Sequence, residues 1–206
     1  MAHMPDGILS APVLIAGGAV ALAGIAWGLR RLDADDIPRT ALVTAAFFVA
    51  ALIHFPVGPT SVHLILNGLT GIMLGWTAFP AIAIALLLQA VLFGFGGIAS
   101  LGVNIAVMAV PAVLCGCLFQ GLRPRLSTRT LTLAGGILGA LGVLLAALFV
   151  AGALALSGRE FLPAAKLALL AHLPVMTIEA AVSAAAVAFL GRVRPDLLTG
   201  EGTGHA

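Results

Sequence analysis

A succession of long apolar runs, broken only by short polar stretches, constrains this chain more than any other feature. Seven such runs can be marked, at about 8–28, 40–55, 61–76, 80–95, 103–122, 131–156 and 162–190. About 20 apolar residues in a helix cross the hydrocarbon core of a bilayer. In lipid every backbone polar group must be bonded internally, which leaves helices and closed barrels, and runs of this length favour helices. The composition agrees: 61% of residues are hydrophobic and 9% charged, against about 25% charged in soluble domains. The fold class expected is all-α, a polytopic protein of about seven transmembrane helices in the cell (inner) membrane. Residues 1–191 are read as one transmembrane domain, and 192–206 as a disordered cytoplasmic tail. No nucleic acid is expected as a partner. The amino terminus lacks the basic region and cleavage site of a signal peptide, since the first apolar run ends in Arg30 and Arg31.

Local features refine this picture. The first helix carries Gly24-x-x-x-Gly28, a spacing that lets helices approach closely, and the second repeats small residues at Ala41/Ala45 and Ala46/Ala50. These small faces are candidate docking surfaces. Pro56 to Pro59 predict a turn. The fourth helix ends in the glycine-rich stretch 94–102. Pro174 predicts a kink in the seventh. Cys115 and Cys117, spaced i, i+2, point to different sides of a helix and are not expected to pair; buried small side chains is the reading for both.

The basic residues orient the bundle. With the amino terminus outside and the carboxy terminus cytoplasmic, the inner loops hold Arg30, Arg31, Arg39, Arg123, Arg125, Arg129, Arg192 and Arg194. The outer loops hold only Arg159 and Lys166, which accounts for all ten Lys and Arg residues. Inner loops enriched in Lys and Arg are the rule for membrane proteins.

In this orientation His3, His54, His63 and His172, four of the five histidines, fall toward the outer face. The fifth, His205, lies in the tail. The segment Met1–Gly7 is short, polar and turn-rich, with a histidine beside a terminal amine. A terminal amine, an amide nitrogen and an imidazole on adjacent residues can form fused chelate rings. Nitrogen-only square-planar surroundings favour Ni(II) or Cu(II) over Mg or Ca. The amino terminus is therefore read as a metal ligand set with the helices as its cage, the alternative being a solvated tail. His63 is the best second ligand, at a helix start just after a tight loop. His54 is read either as part of the site or as the cap of a helix end. His172 is read as satisfying a carbonyl freed by Pro174. Asn67, Gln89, Asn104 and Glu179 lie at membrane depth, where ionisable groups are costly and functional. Glu179 stands two turns from His172 on a similar face. Helix-packing hydrogen bonds are the alternative for the three amides.

Three runs carry a family resemblance. They are His3-Met4-Pro5-Asp6-Gly7-Ile8-Leu9-Ser10; His54 to Leu64 with Asn67-Gly68 following; and Leu88-Gln89-Ala90-Val91-Leu92-Phe93 leading through Phe95-Gly96-Gly97 to Gly102-Val103-Asn104. The sequence resembles the CbiM/NikM family, the cobalt/nickel-specific substrate-binding membrane (S) components of energy-coupling-factor (ECF) ABC transporters. The resemblance covers about the first half of the chain. It implies seven helices, an outward amino terminus folded back into the bundle, and a metal held by the first residues and by the histidine of the Thr-Ser-x-His run, here His63. In the family histidine usually stands second, whereas here Ala2 intervenes. If Met1 is removed, the Ala2 amine, the His3 amide and ring, and His63 supply four nitrogens. If Met1 is kept, its amine, the Ala2 and His3 amides and the His3 ring already make four. An alanine added ahead of the histidine is the third reading.

The metal ligands expected are thus His3, His63, Ala2 and Met1. His54, Thr60, Ser61, Asn67, Gln89, Asn104, His172 and Glu179 are expected to surround or gate them. Co2+ or Ni2+ is the transported substrate, with cobalt favoured and cobalamin synthesis implied; no organic cofactor is expected. The partners implied are a transmembrane coupling (T) subunit, ATP-binding subunits, a small accessory membrane subunit and the lipid bilayer. The chain has no Gly-x-x-x-x-Gly-Lys-Ser/Thr loop, so it is not read as the ATPase. A nickel-specific subunit and a stand-alone metal permease are the alternatives. An intramembrane enzyme is disfavoured, since there is no His-Glu-x-x-His helix.

Overall fold

The computed structural model describes residues 3–57 and 60–198, with only the backbone described within the 54–62 stretch. Among the described residues there are seven α-helices: α1 (Ala11–Arg30), α2 (Ile37–Ala50), α3 (Asn67–Leu74), α4 (Ala78–Phe93), α5 (Leu101–Leu122), α6 (Thr128–Ser157) and α7 (Leu162–Val193). Proline occupies the first turn of α1, α2 and α7, where its missing N–H costs nothing. At the start of α6, Ser127 Oγ accepts from the Thr130 N–H, satisfying one orphan donor.

The expectation of seven helices needs correcting in its detail. Five segments are long and apolar enough to cross a membrane: Ala11–Arg30, Asn67–Phe93, Leu101–Arg125, Thr128–Ser157 and Arg159–Val193. Helix α2 has 14 residues and α3 only 8, so neither reaches across about 30 Å of hydrocarbon at about 1.5 Å per residue. The chain between them is a two-stranded antiparallel hairpin, β1 (His54–Val57) and β2 (Thr60–His63), with His54 opposite His63. Thus Ser61 to His63 are strand, not the start of a helix, and His54 lies beyond the end of α2 rather than capping it. Strand pairing meets the requirement that backbone groups at depth be bonded within the protein.

The Asn67–Phe93 segment is not one rod. It breaks at Gly75, with φ +55°, a conformation open to glycine. The turn Gly75–Thr77 lies beside the end of α1: a Cβ on Gly28 would sit 2.6 Å from the Trp76 carbonyl oxygen. Both His63, just before α3, and Phe95, just after α4, stack on His3. Helices α3 and α4 therefore run antiparallel, from one end of the bundle to the other and back.

Close helix contacts set the interior. A Cβ on Gly71 of α3 would overlap the Ala112 carbonyl of α5, and one on Gly116 would overlap the Gly71 carbonyl. Small residues permit such approach where lipid supplies no hydrophobic drive. Gly24 and Gly28 are used the same way, against Phe79 and Pro80 at the α4 end of the neighbouring helix. That part of the small-residue face is spent inside the bundle, not left for docking. Ile65, Ile72, Ile82, Met108, Phe119 and Val143 fill the core, while Ile15, Leu22, Leu133, Ile137 and Leu156 are exposed on the outside. An exposed apolar belt is what a lipid-facing surface requires.

Pro174 lies inside α7, and the helix continues past it to Val193. A 3-10 turn (Pro195–Leu198) follows, with Leu198 buried and its carbonyl accepting from Gln120 Nε2 at 3.1 Å. The expected disordered tail thus begins with ordered residues, and 199–206 lie outside those described. Cys115 is buried and Cys117 is exposed, both unbridged; the reading of both as buried holds for Cys115 alone, since the two face opposite sides of α5. At 3.3 Å the Cys115 thiol donates to the Leu138 carbonyl.

Candidate metal centre

The amino-terminal segment is seated in the bundle by the first turn of α5. Asn104 grips the backbone of Met4 from both sides: its Oδ1 accepts from Met4 N–H at 2.9 Å and its Nδ2 donates to the Met4 carbonyl at 3.0 Å. Ser100 Oγ donates to the same carbonyl at 2.6 Å. Met4 and Asn104 are both buried. Two residues on, Asp6 Oδ1 accepts from the Ser100 N–H at 2.9 Å, at the amino-terminal end of α5, where a negative charge is favoured. Hydrogen bonds from the backbone of Ser100 first, then Ala99 and Ile98, hold the Asp6 carboxyl below its ordinary value. The sequence segment His3 to Asp6 is thus tied down residue by residue.

Two predictions arise from this clamp. Asn104→Ala leaves the buried Met4 N–H without its partner, at about 1–3 kcal/mol, while the Met4 carbonyl keeps Ser100 Oγ. It is expected to weaken Ni(II) or Co(II) binding about 10–100-fold, the range for residues that orient a ligand, as read by titration of purified protein. For Asp6 the lowered folded-state value means its stabilisation is complete above the ordinary value of 3.8. It is lost as pH falls through the lower value of the folded state. The melting difference between wild type and Asp6→Asn should hold constant above pH of about 4 and shrink below it.

His3 is placed directly against His63. Their rings stack with centroids 4.9 Å apart and planes at 17°, and both side chains are buried. Phe95 stacks on the His3 ring at 6.5 Å and 11°, and is backed by Phe93 and then Phe48. The aromatic row walls the histidines on the α2–α4 side. His63 Nδ1 lies 2.7 Å from the Leu64 carbonyl oxygen. A carbonyl only accepts, so Nδ1 is the donor in this contact, and the neutral form of such a ring carries its lone pair on Nε2. Neutral imidazole with a free-electron-pair nitrogen is the form that binds metals.

Among the described residues no group of three or more His, Cys, Asp and Glu side chains is arranged to hold an ion. The further donors of the expected chelate are main-chain nitrogens. Those of Met1 and Ala2 lie outside the described residues, as do the side chains of His54, Thr60 and Ser61.

The remaining expected residues divide. Asn67 is a tie between helices: its Nδ2 donates to the Gly142 carbonyl at 3.1 Å and its Oδ1 accepts from Gly68 N–H. Gln89 Nε2 reaches the Phe48 carbonyl at 3.4 Å, joining α4 to α2. His172 does not serve the carbonyl that Pro174 would free, that of Leu170. Its Nδ1 bonds the Ala168 carbonyl at 2.6 Å, one turn back on its own helix. Together with His3, Met4 and Phe161 it lines a cavity of about 320 Å³ between the amino-terminal segment and the ends of α6 and α7. Glu179 is wholly buried and accepts from the N–H groups of Ile65 and Leu66.

Sequence reasoning missed Ser100 and gave no role to Phe95 or Asp6, though both lie in the runs that carry the family resemblance. One signal was available: Ser100 and Asn104 are spaced i, i+4 at a helix start, which puts both on one face. Nothing local announced that this face would meet residues 4–6.

A helical multi-pass bundle with two imidazoles stacked at one buried end, one of them on a clamped amino-terminal segment, is the class that fold and site define. The chain belongs to the CbiM family, whose model, described as a cobalt uptake substrate-specific transmembrane region, matches residues 3–197. A Haemophilus influenzae protein named for metal transport is 46% identical over 198 residues, covering 95% of this chain and 96% of the relative. The fused nickel transport protein NikMN of Rhodobacter capsulatus is 34% identical, with 95% of this chain and 63% of the relative covered. A crystal structure titled as a transition metal transporter superposes with TM-score 0.79 at 27% identity, covering 93% of each chain. This chain is accordingly a multi-pass membrane component of cobalt/nickel transport.

Proposed function

We propose that this chain is the substrate-capture subunit of an ATP-driven ECF importer, taking up a divalent transition metal at the outer face. The observation that carries the reading is the buried stack of His3 on His63 beneath a segment clamped by Asn104, Ser100 and Asp6. That arrangement suits an ion stripped of water and enclosed by nitrogen. His3 and His63 are the side-chain ligands. The terminal amine and nearby amide nitrogens complete the set, with either Met1 or Ala2 at the start. Residues 1–7 form the ligand segment and the bundle to residue 191 its cage.

The chain alternates across the membrane, with α2 running outward to the hairpin and α3 returning from it, neither helix crossing alone. The division of basic residues supports an outward amino terminus. Arg39 and Arg194 line one cavity, and Arg31 and Arg39 another beside the Gly75–Thr77 turn, at the end opposite His3 and His63. A T subunit and ATP-binding subunits supply the energy, with a small accessory membrane subunit as a further partner. Cobalt is the favoured cargo, from the likeness of the Met4–Gly7 run to the cobalt branch, and nickel the alternative. Intrinsic affinity ranks cobalt below nickel, so binding strength alone does not name the cargo.

The test is Co(II) and Ni(II) titration of purified protein whose amino terminus is defined by mass spectrometry. Wild type is compared with His3→Ala and with a chain extended by one amino-terminal residue. Stoichiometric binding, lost in His3→Ala and altered by the extension, is expected. Binding should weaken as pH falls, because amide ligation releases a proton. If both variants bind as wild type does, the amino terminus is not a ligand. Metal uptake by proteoliposomes holding this chain alone would favour the stand-alone permease.

A further inference from the structure

We propose that Glu179 is a positioning residue for His63, acting through the single peptide group that joins Leu64 to Ile65. The inference rests on the reading of His63 as a metal ligand. Glu179 projects from α7 and is 0% exposed. Its Oε1 accepts from the Ile65 N–H at 2.5 Å and from the Leu66 N–H at 2.8 Å. The Ile65 nitrogen and the Leu64 carbonyl are the two ends of one peptide unit. That carbonyl is the one that accepts the His63 Nδ1 proton, at 2.7 Å. The groups therefore form one line: carboxylate, peptide, imidazole.

Two physical consequences follow from the line. A peptide group is planar, so whatever holds its N–H holds the direction of its C=O. By fixing the Ile65 N–H, Glu179 fixes the carbonyl that sets the tautomer and tilt of the His63 ring. Hydrogen bonds in series also polarise one another. A carboxyl oxygen drawing on the N–H makes the carbonyl a better acceptor, and the Nε2 lone pair a better donor. Metal-binding histidines commonly present their other nitrogen to a carboxylate or a carbonyl; here the two are placed in sequence.

The local backbone supports a dedicated arrangement. Leu66 is the only non-glycine residue with positive φ among those described, at +52°. Such a conformation costs on the order of 1–3 kcal/mol. Beside it the N–H groups of Ile65 and Leu66 converge on one point, the concave geometry that binds anions. The occupant of that point is Glu179 Oε1.

The test is Ni(II) affinity, by competition titration of the full chain, for wild type, Glu179→Gln, Glu179→Leu, His63→Ala and the Glu179→Leu/His63→Ala double variant. Glu179→Gln keeps an accepting oxygen and is expected to stay within about threefold of wild type, whereas Glu179→Leu weakens binding about 10–100-fold. In the His63→Ala background Glu179→Leu should cause no further loss, because a residue acting only through His63 has nothing left to act on. The ligand-field absorption of metal-saturated Glu179→Leu should move toward that of His63→Ala. Where Glu179→Leu does not fold, Glu179→Asp withdraws the same oxygen by one methylene and gives the same comparison. An unchanged affinity in Glu179→Leu, or an equal loss in both backgrounds, overturns the proposal and leaves Glu179 a stitch between α7 and the hairpin. If His63→Ala itself binds as wild type, the ligand reading fails, and the role of Glu179 with it.

Discussion

Replacing His63 by alanine is expected to lower Ni(II) and Co(II) affinity by more than about 100-fold, beyond the 10–100-fold typical of residues that only orient a ligand. The reason is geometric. His63 and His3 are the two imidazoles brought together at the buried end of the bundle, 4.9 Å apart. On the proposed ligand set the amino-terminal nitrogens remain in the variant, so weak binding is expected to persist while the ion loses its anchor to the hairpin. His172→Ala is the matched control. That ring shares a cavity with His3 yet bonds its own helix through Nδ1, and its removal should change affinity far less. Equal losses in the two variants would move the site toward α7. Titration monitored by ligand-field absorption separates these outcomes.

Gly71→Val is expected to be the most destabilising single change among the helix contacts, costing at least about 3 kcal/mol, the upper end for overpacking. The added carbons would meet the Ala112 backbone, and backbone cannot turn aside as a side chain can. Gly116 makes the reciprocal contact with the Gly71 carbonyl, so Gly116→Val should behave alike. The consequence extends to function, because α3 carries Asn67 and follows directly from the His63 loop. Gly152→Ala is the control: a Cβ there meets nothing within 4 Å. Removing a glycine at a compatible helical site stabilises by about 0.4–1 kcal/mol. Thermal unfolding in detergent should show a large fall for the first pair and none for the third. A small fall in Gly71→Val would mean that α3 and α5 can separate without loss of the fold.

Much of the candidate site was legible before any coordinates. His3 and His63 were singled out from chemistry, topology and motif, and the structure brings them together. Asn104 and Glu179 were marked because polar groups at membrane depth require partners. The partners themselves were not legible. Met4 and Asn104 are 100 residues apart, and Ile65 and Glu179 are 114 apart. No periodicity encodes such pairings. The hairpin was misread for another reason: a short apolar run such as Val62 to Leu66 is compatible with strand or helix, and periodicity cannot arbitrate. What decides for strand is that β1 lies opposite it.

The amino-acid sequence by itself determined that this chain is a membrane-spanning helical bundle, which end carries the basic residues, and that histidines gather toward the other. Those properties depend on the solvation of each segment alone, and so can be read along one dimension. The tertiary structure alone decided that His3 meets His63, that Asn104 grips Met4, and that Glu179 holds the loop behind His63. Each of these is a directional contact between segments distant in sequence. It exists only once close-packed glycines such as Gly71 and Gly116 have set the helices at their final spacing.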